Sequence, residues 1–185
     1  MPRKAAKESR ELDHEVETFD PDGDVIIVAK GKSLDDDKRF LLSSKLLSLA
    51  SLVFAKFFGP NFYEGAQVAT CTCPEIPLYD DDPDLMRVLL ALLHYQEPEE
   101  IPYNSTEWLA KLAIHCDKYD CVKALRPWVS NWIYEFESIY TLMDQEFGYL
   151  ILATHLFRSS DHFSKLTAKV QADLPPGFAL EWESF

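Results

Sequence analysis

The sequence predicts an α+β fold, with a small sheet capped by a helical cluster and additional C-terminal helices. Three observations carry this. Short strand-like segments at 24–29 and 39–42 precede a strongly apolar helical stretch that runs to residue 58. Two more, at 68–72 and 75–78, follow it and are flanked or interrupted by Pro74 and Pro77, which mark edges or irregularities. From Asp82 onward the apolar residues recur at helical spacing only.

Composition bounds the function. The chain has 185 residues, 47% of them hydrophobic and 13% aromatic, enough for a real core in one domain, or in one domain with an appendage. A formal net charge of −13 argues against non-specific nucleic-acid binding, which needs clustered Lys and Arg. No apolar run approaches the roughly 20 residues of a membrane-spanning helix. Residues 2–17 contain no apolar h-region of a signal peptide. The expectation is an intracellular chain, cytoplasmic or nuclear or both, with no membrane partner and its four cysteines reduced.

Residues 1–18 are expected to be a flexible charged tail. Arg3, Lys4, Lys7 and Arg10 come first, then Glu11, Asp13, Glu15 and Glu17. Its basic start has the composition of a nuclear address as well as of a plain charged terminus. Leu12, Val16 and Phe19 have the spacing of a short amphipathic helix. The domain is placed at 19–136. Pro21, Asp22 and Gly23 supply turn chemistry, residues 24–29 a strand, and 31–38 a hairpin turn. The Asp35-Asp36-Asp37 run at its tip is expected to be solvated, because it lacks the spacing and the bend glycine of a calcium loop.

Residues 39–58 are the predicted hub. Phe40 and Leu42 alternate as in a strand, and Ser43 and Ser44 are candidate helix caps. Leu46, Ala50, Val53, Phe54 and Phe57 then fall at helical spacing, and Leu47, Leu49 and Phe58 widen the apolar face. A helix apolar on most sides belongs inside. Gly59-Pro60-Asn61 breaks the pattern, and residues 62–65 are expected to form a loop.

Asp82 as cap with Pro83 at the first position starts the next helix, whose apolar face is Met86, Leu89, Leu90 and Leu93. Asp80 and Asp81 then favour its positive end rather than forming a metal or catalytic cluster. Asn104 with Glu107 has the capping-box spacing for a helix through residue 116. Asp120 is expected to cap another, with Val122, Leu125, Val129, Trp132 and Phe136 inside and a kink or restart at Pro127. Trp128 and Trp132 lie four apart, a spacing that an interface stripe shares but that suits packing better. Residues 137–185 make a helical extension and tail: helices over 138–157 and 160–174, a stop at Pro175-Pro176-Gly177, and the aromatics Phe178, Trp182 and Phe185.

Catalytic and metal chemistry finds little to use. Cys71 and Cys73, on one face of a predicted strand, and Cys116 and Cys121, at helical small-apolar positions, lack the spacing of zinc knuckles. His94, His115, His155 and His162 suggest no shared site. There is no G-x-S-x-G elbow, and none of the six glycines forms a phosphate loop. No catalytic residue, metal site or cofactor is predicted, and the chain is not expected to be an enzyme.

Several motifs in order resemble the BTB/POZ domain, particularly its fungal kind. They are Asp22-Gly23-Asp24-Val25 and the F-x-L-S-S-K-L-L-x-x-A-S-x-x-F run from Phe40 to Phe54. IPLYDDDP (76–83), Leu93-His94-Tyr95, and Ala113 with Asp117-Lys118-Tyr119 ahead of LRPWV (125–129) complete the set. The match covers roughly 19–136, and the last fifty residues resemble the helical extension that often follows. The resemblance implies a protein–protein interaction scaffold. Many members homodimerise, and some act as substrate adaptors that dock a cullin scaffold of a ubiquitin ligase. Nuclear, transcription-associated members are the alternative, here without a DNA-binding element and so without direct nucleic-acid contact.

Two positions sharpen those expectations. In the family an Arg at the start of the core helix pairs with the Asp of the first strand in a charged pocket at the dimer interface. Here Asp24 matches the acid, but Ser44 stands at the basic position. Cullin-binding members carry a hydrophobic-x-Glu motif after the core helix, and Phe62-Tyr63-Glu64 has that form and place.

Overall fold

The computed structural model describes residues 15–98, 105–139 and 144–173. The elements run β1 (Val16–Thr18), β2 (Val25–Ala29), β3 (Lys38–Leu42), α1 (Ser44–Ala50), α2 (Leu52–Phe57), α3 (Tyr63–Thr70), β4 (Glu75–Leu78) and α4 (Pro83–Leu93). Then come α5 (Thr106–Lys118), α6 (Val122–Ile139), α7 (Asp144–Leu156) and α8 (Ser160–Asp173). The predicted class holds: a small mixed sheet is capped by helices, and further helices follow. Among the described residues no helix is long and apolar enough to cross a membrane.

The sheet has the order β1-β3-β2-β4. β2 and β3 form the antiparallel hairpin, with Ile27 opposite Phe40, and β4 lies parallel to β2. Pro77 is tolerated because β4 is an edge strand. β1 corrects the tail expected through residue 18. Val16–Thr18 pair in parallel with Arg39–Leu41, and Arg87 holds Glu17 at 2.7 Å. Alternating β residues, not a helical turn, join Val16 to Phe19, whose ring stacks on Phe40 at 5.6 Å. Leu12 and the basic cluster before it lie outside the described residues.

The hairpin tip also departs from expectation. A short 3-10 turn spans Leu34–Asp36, capped by Ser33. Asp37 is not solvated: its carboxylate accepts from the Gly31 N–H at 3.0 Å and pairs with Lys30, leaving its side chain 8% exposed. A backbone donor and a neighbouring ammonium compensate the burial.

The hub lies elsewhere than the apolar run predicted. Ser51 takes an extended conformation and splits that run into α1 and α2. Its hydroxyl accepts from the Phe54 N–H at 3.0 Å and donates to the Tyr119 carbonyl. One extended residue resets the helical phase, so residues on either side of it no longer share a face. Leu47 and Phe54 are buried, while Leu49 and Leu52 are 77% and 63% exposed. The centre of the core is α4, with eight of its eleven residues buried. Asp82 caps it as predicted, accepting from the Asp84 and Leu85 N–H groups, with Pro83 inside the first turn.

Three further boundaries shift. Residues 63–70, read as a loop and then the start of a strand, form α3, where Glu64, Ala66, Gln67 and Ala69 supply helix propensity. α5 is capped by Ser105, whose hydroxyl accepts from the Trp108 N–H, and Asn104 lies outside the described residues. α6 runs without a break through Pro127. Trp132 is buried against Trp108 with ring centroids 6.3 Å apart. The extension supplies α7, which packs along α5, and α8, which packs on α7. Phe178, Trp182 and Phe185 lie outside the described residues.

Candidate interaction site

After α2 the chain reverses within a few residues. The Gly59 N–H bonds to the Lys56 carbonyl at 2.9 Å and the Phe62 N–H to the Gly59 carbonyl at 3.2 Å. α3 enters hard against this turn: a Cβ at Gly65 would lie 2.0 Å from the Gly59 oxygen, so only glycine fits. Phe62 occupies the N-cap position with extended backbone and no side-chain cap. The result is a tight corner that presents Phe62 at 49% and Tyr63 at 74% exposure, with Glu64 half-buried in the first helical turn. Phe62 therefore does not tuck under the chain. Glu64 also suits the positive end of α3.

Asp24 and Ser44 meet as well. Asp24 Oδ1 accepts from the Ser44 N–H and Oδ2 from its hydroxyl, both at 2.7 Å. The acid of β2's leading edge thereby satisfies an orphan donor at the start of α1, while Ser43 caps the Leu46 N–H at 3.4 Å. Behind them lies His94, a residue sequence reasoning left without a role. Its Nδ1 donates to the Leu90 carbonyl at 2.8 Å and its Nε2 accepts from the Ser43 N–H at 3.0 Å, which requires the neutral ring. Burial holds its pKa below the ordinary histidine range.

Asp81 was not singled out either, because the acidic run explained itself as a helix start. Its side chain is 1% exposed, and it accepts from Lys118 Nζ and from Tyr119 Oη, each at 2.7 Å. Burial, then the Asp81 hydrogen bond, pushes the Tyr119 hydroxyl far up. This is a fixed polar joint between the β4–α4 connection and the end of α5.

The thiols do not share a strand. Cys71 ends α3, and Cys73 lies beyond it at φ 51°. Cys116 and Cys121 are buried, and burial first of all raises the Cys116 thiol. The histidines have local partners: His115 Nδ1 faces the Lys111 carbonyl, His162 faces the Ser159 hydroxyl, and His155 lies against Phe163. Among the described residues no three His, Cys, Asp or Glu side chains converge as metal ligands. No protein-family model matches the chain, and no similar curated protein was found.

Proposed function

We propose that the chain is a non-enzymatic protein–protein interaction module of the BTB/POZ type, which docks a cullin-type scaffold through the Phe62-Tyr63-Glu64 corner. The observation that carries this reading is the corner itself. Two adjacent aromatics stand out of a turn made rigid by the Gly59–Gly65 contact, with a carboxylate one residue on. Exposed aromatics on a preorganised turn suit an interface anchor, since little side-chain or backbone entropy is lost on binding. The order of motifs along residues 19–136 supplies the family part of the proposal, with the bound substrate recruited through the helical extension.

Self-association is a secondary role in this reading. Asp24 is engaged with Ser44 rather than with a basic partner, so any homodimer does not use a charged Asp–Arg pocket. The test is co-purification of the tagged protein with the host's cullin, repeated with Phe62→Ala/Glu64→Ala. Loss of the cullin with an unchanged circular dichroism spectrum supports the assignment; undiminished recovery sinks it. Light scattering on the same samples reads the oligomeric state.

A further inference from the structure

The buried thiols Cys116 and Cys121 have no part in the interaction site, yet one turn brings them together. α5 ends in a Schellman turn. Its outer bond runs from the Cys121 N–H to the Cys116 carbonyl at 3.0 Å. The inner bond runs from the Asp120 N–H to the Asp117 carbonyl, also at 3.0 Å. Asp120 holds the left-handed position at φ 45°. The two residues of the outer bond commonly touch through apolar side chains. Here both are cysteines, each 0% exposed.

The geometry suits a covalent bond between them. Standard covalent lengths on either side of the 3.0 Å N···O contact keep the two Cα atoms within about 6.9 Å, and any bend in that path shortens it. A disulfide needs roughly 4.4–6.8 Å. Both sulfurs are turned to the same place. Cys121 Sγ lies 3.5 Å from the Cys116 carbonyl oxygen, and the two thiols are close enough to share a hydrogen bond. Any small apolar pair would meet the packing need; two thiols add a bond that can be made and broken.

Such a bond would fix Tyr119, the cap residue of the turn. Its carbonyl accepts from the Ser51 hydroxyl, where the α1–α2 break occurs. Its own hydroxyl donates to Asp81, ahead of α4, at 2.7 Å. Three segments distant in sequence therefore meet on the stretch 116–121 that the two thiols bound.

We propose that Cys116 and Cys121 are a reversible dithiol–disulfide pair, closed by peroxide, that stiffens the Tyr119 joint when oxidised. A groove of about 650 Å³ runs over Ser51, Asp120, Lys123 and Ala124, and so opens within one residue of Cys121. Hydrogen peroxide is small enough to follow it inward. Burial raises the Cys116 thiol, which leaves Cys121 as the first nucleophile. The Cys121 thiolate attacks one peroxide oxygen and the O–O bond breaks. Hydroxide leaves and takes up the proton that the thiol released, and Cys121 becomes a sulfenic acid. The Cys116 sulfur then attacks the Cys121 sulfur, the S–O bond breaks, and the hydroxyl departs with the Cys116 proton as water. The two thiols lose two electrons, the peroxide gains them, and two waters form. A dithiol reductant reopens the bond by exchange.

The test treats the full chain with hydrogen peroxide, alkylates the remaining thiols and digests with trypsin without reduction. Cleavage after Lys118 falls between the two cysteines. The bond therefore appears as peptides 112–118 and 119–123 joined, two hydrogens lighter than their sum, from monomeric chain. Cys71→Ser/Cys73→Ser gives the same joined pair, because neither thiol belongs to the turn, and dithiothreitol separates it. Amide exchange at residues 51–54 and 119–121 is about tenfold slower in the oxidised chain than in the reduced one. Absence of the joined pair, with both thiols still open to alkylation once the treated chain is unfolded, overturns the proposal. So does a joined pair found only in covalent dimers, or equal exchange in the two forms.

Discussion

The carboxylate of Asp24 closes on Ser44 with both oxygens, one to the backbone N–H and one to the hydroxyl, each at 2.7 Å. Strand β2 is thereby tied to the first turn of α1, where Ser44 is 9% exposed. Ser44→Ala keeps the backbone bond and removes the other. The expected loss is about 1.5–3 kcal/mol, the worth of one hydrogen bond to a charged acceptor. It is read as a lower urea midpoint with an unchanged m-value. A variant as stable as the parent would show that the hydroxyl bond contributes nothing net.

Tyr119 and Asp81 form the second joint. Tyr119→Phe leaves the buried carboxylate short of one donor, and the expected cost at neutral pH is about 1–3 kcal/mol. The pH dependence has a definite sign. Burial and the Asp81 bond raise the folded pKa above the unfolded value, so the native state keeps a proton that the unfolded chain releases above about pH 10. This contribution is complete below pH ~10 and is lost as pH rises beyond it. Denaturation midpoints of Tyr119→Phe measured between neutral and alkaline pH therefore fall less steeply than those of the parent.

His94 acts on the acid side. Its Nε2 accepts from the Ser43 N–H, and protonation sets two donors against each other. Because burial lowers the folded pKa, the contribution is present above the unfolded value of about 6.5 and is lost as pH falls through the folded one. His94→Gln removes the titrating group, so its stability changes less than the parent's between about pH 7 and pH 5. Parallel curves for the two proteins would leave His94 without a titrating role.

The fold class was legible in the chain because periodicity and cap chemistry are local. Asp82 with Pro83, the β2–β3 hairpin and the edge prolines all rest on neighbours within a few residues. The position of the core was not. Ten apolar and small residues in a row, 46–55, concealed the break at Ser51, which depends on a carbonyl at Tyr119, 68 residues away. For the same reason Asp81 passed for a helix-start charge: its partners Lys118 and Tyr119 are 37 and 38 residues distant. The corner at Phe62 was found by its sequence, but its rigidity was not, since the need for glycine at 65 comes from contact with Gly59.

That contact gives the sharpest test of the corner. A methyl at position 65 has nowhere to go, with the Gly59 oxygen 2.0 Å away and the Gly59 and Phe58 carbonyl carbons both at 2.7 Å. All three are backbone atoms, so the strain is relieved only by moving the turn against α3. Gly65→Ala is expected to cost ~2–3 kcal/mol, the upper part of the range for overpacking. Phe62 and Tyr63 move with the turn, so partner binding falls along with stability. Phe62→Ala behaves differently: at a half-exposed site it changes stability by no more than about 0.5 kcal/mol while removing the anchor. Thermal denaturation and cullin co-purification on the two variants separate a corner that must be rigid from one that must only be aromatic. If Gly65→Ala binds as well as the parent while melting lower, the preorganised geometry is irrelevant to recognition.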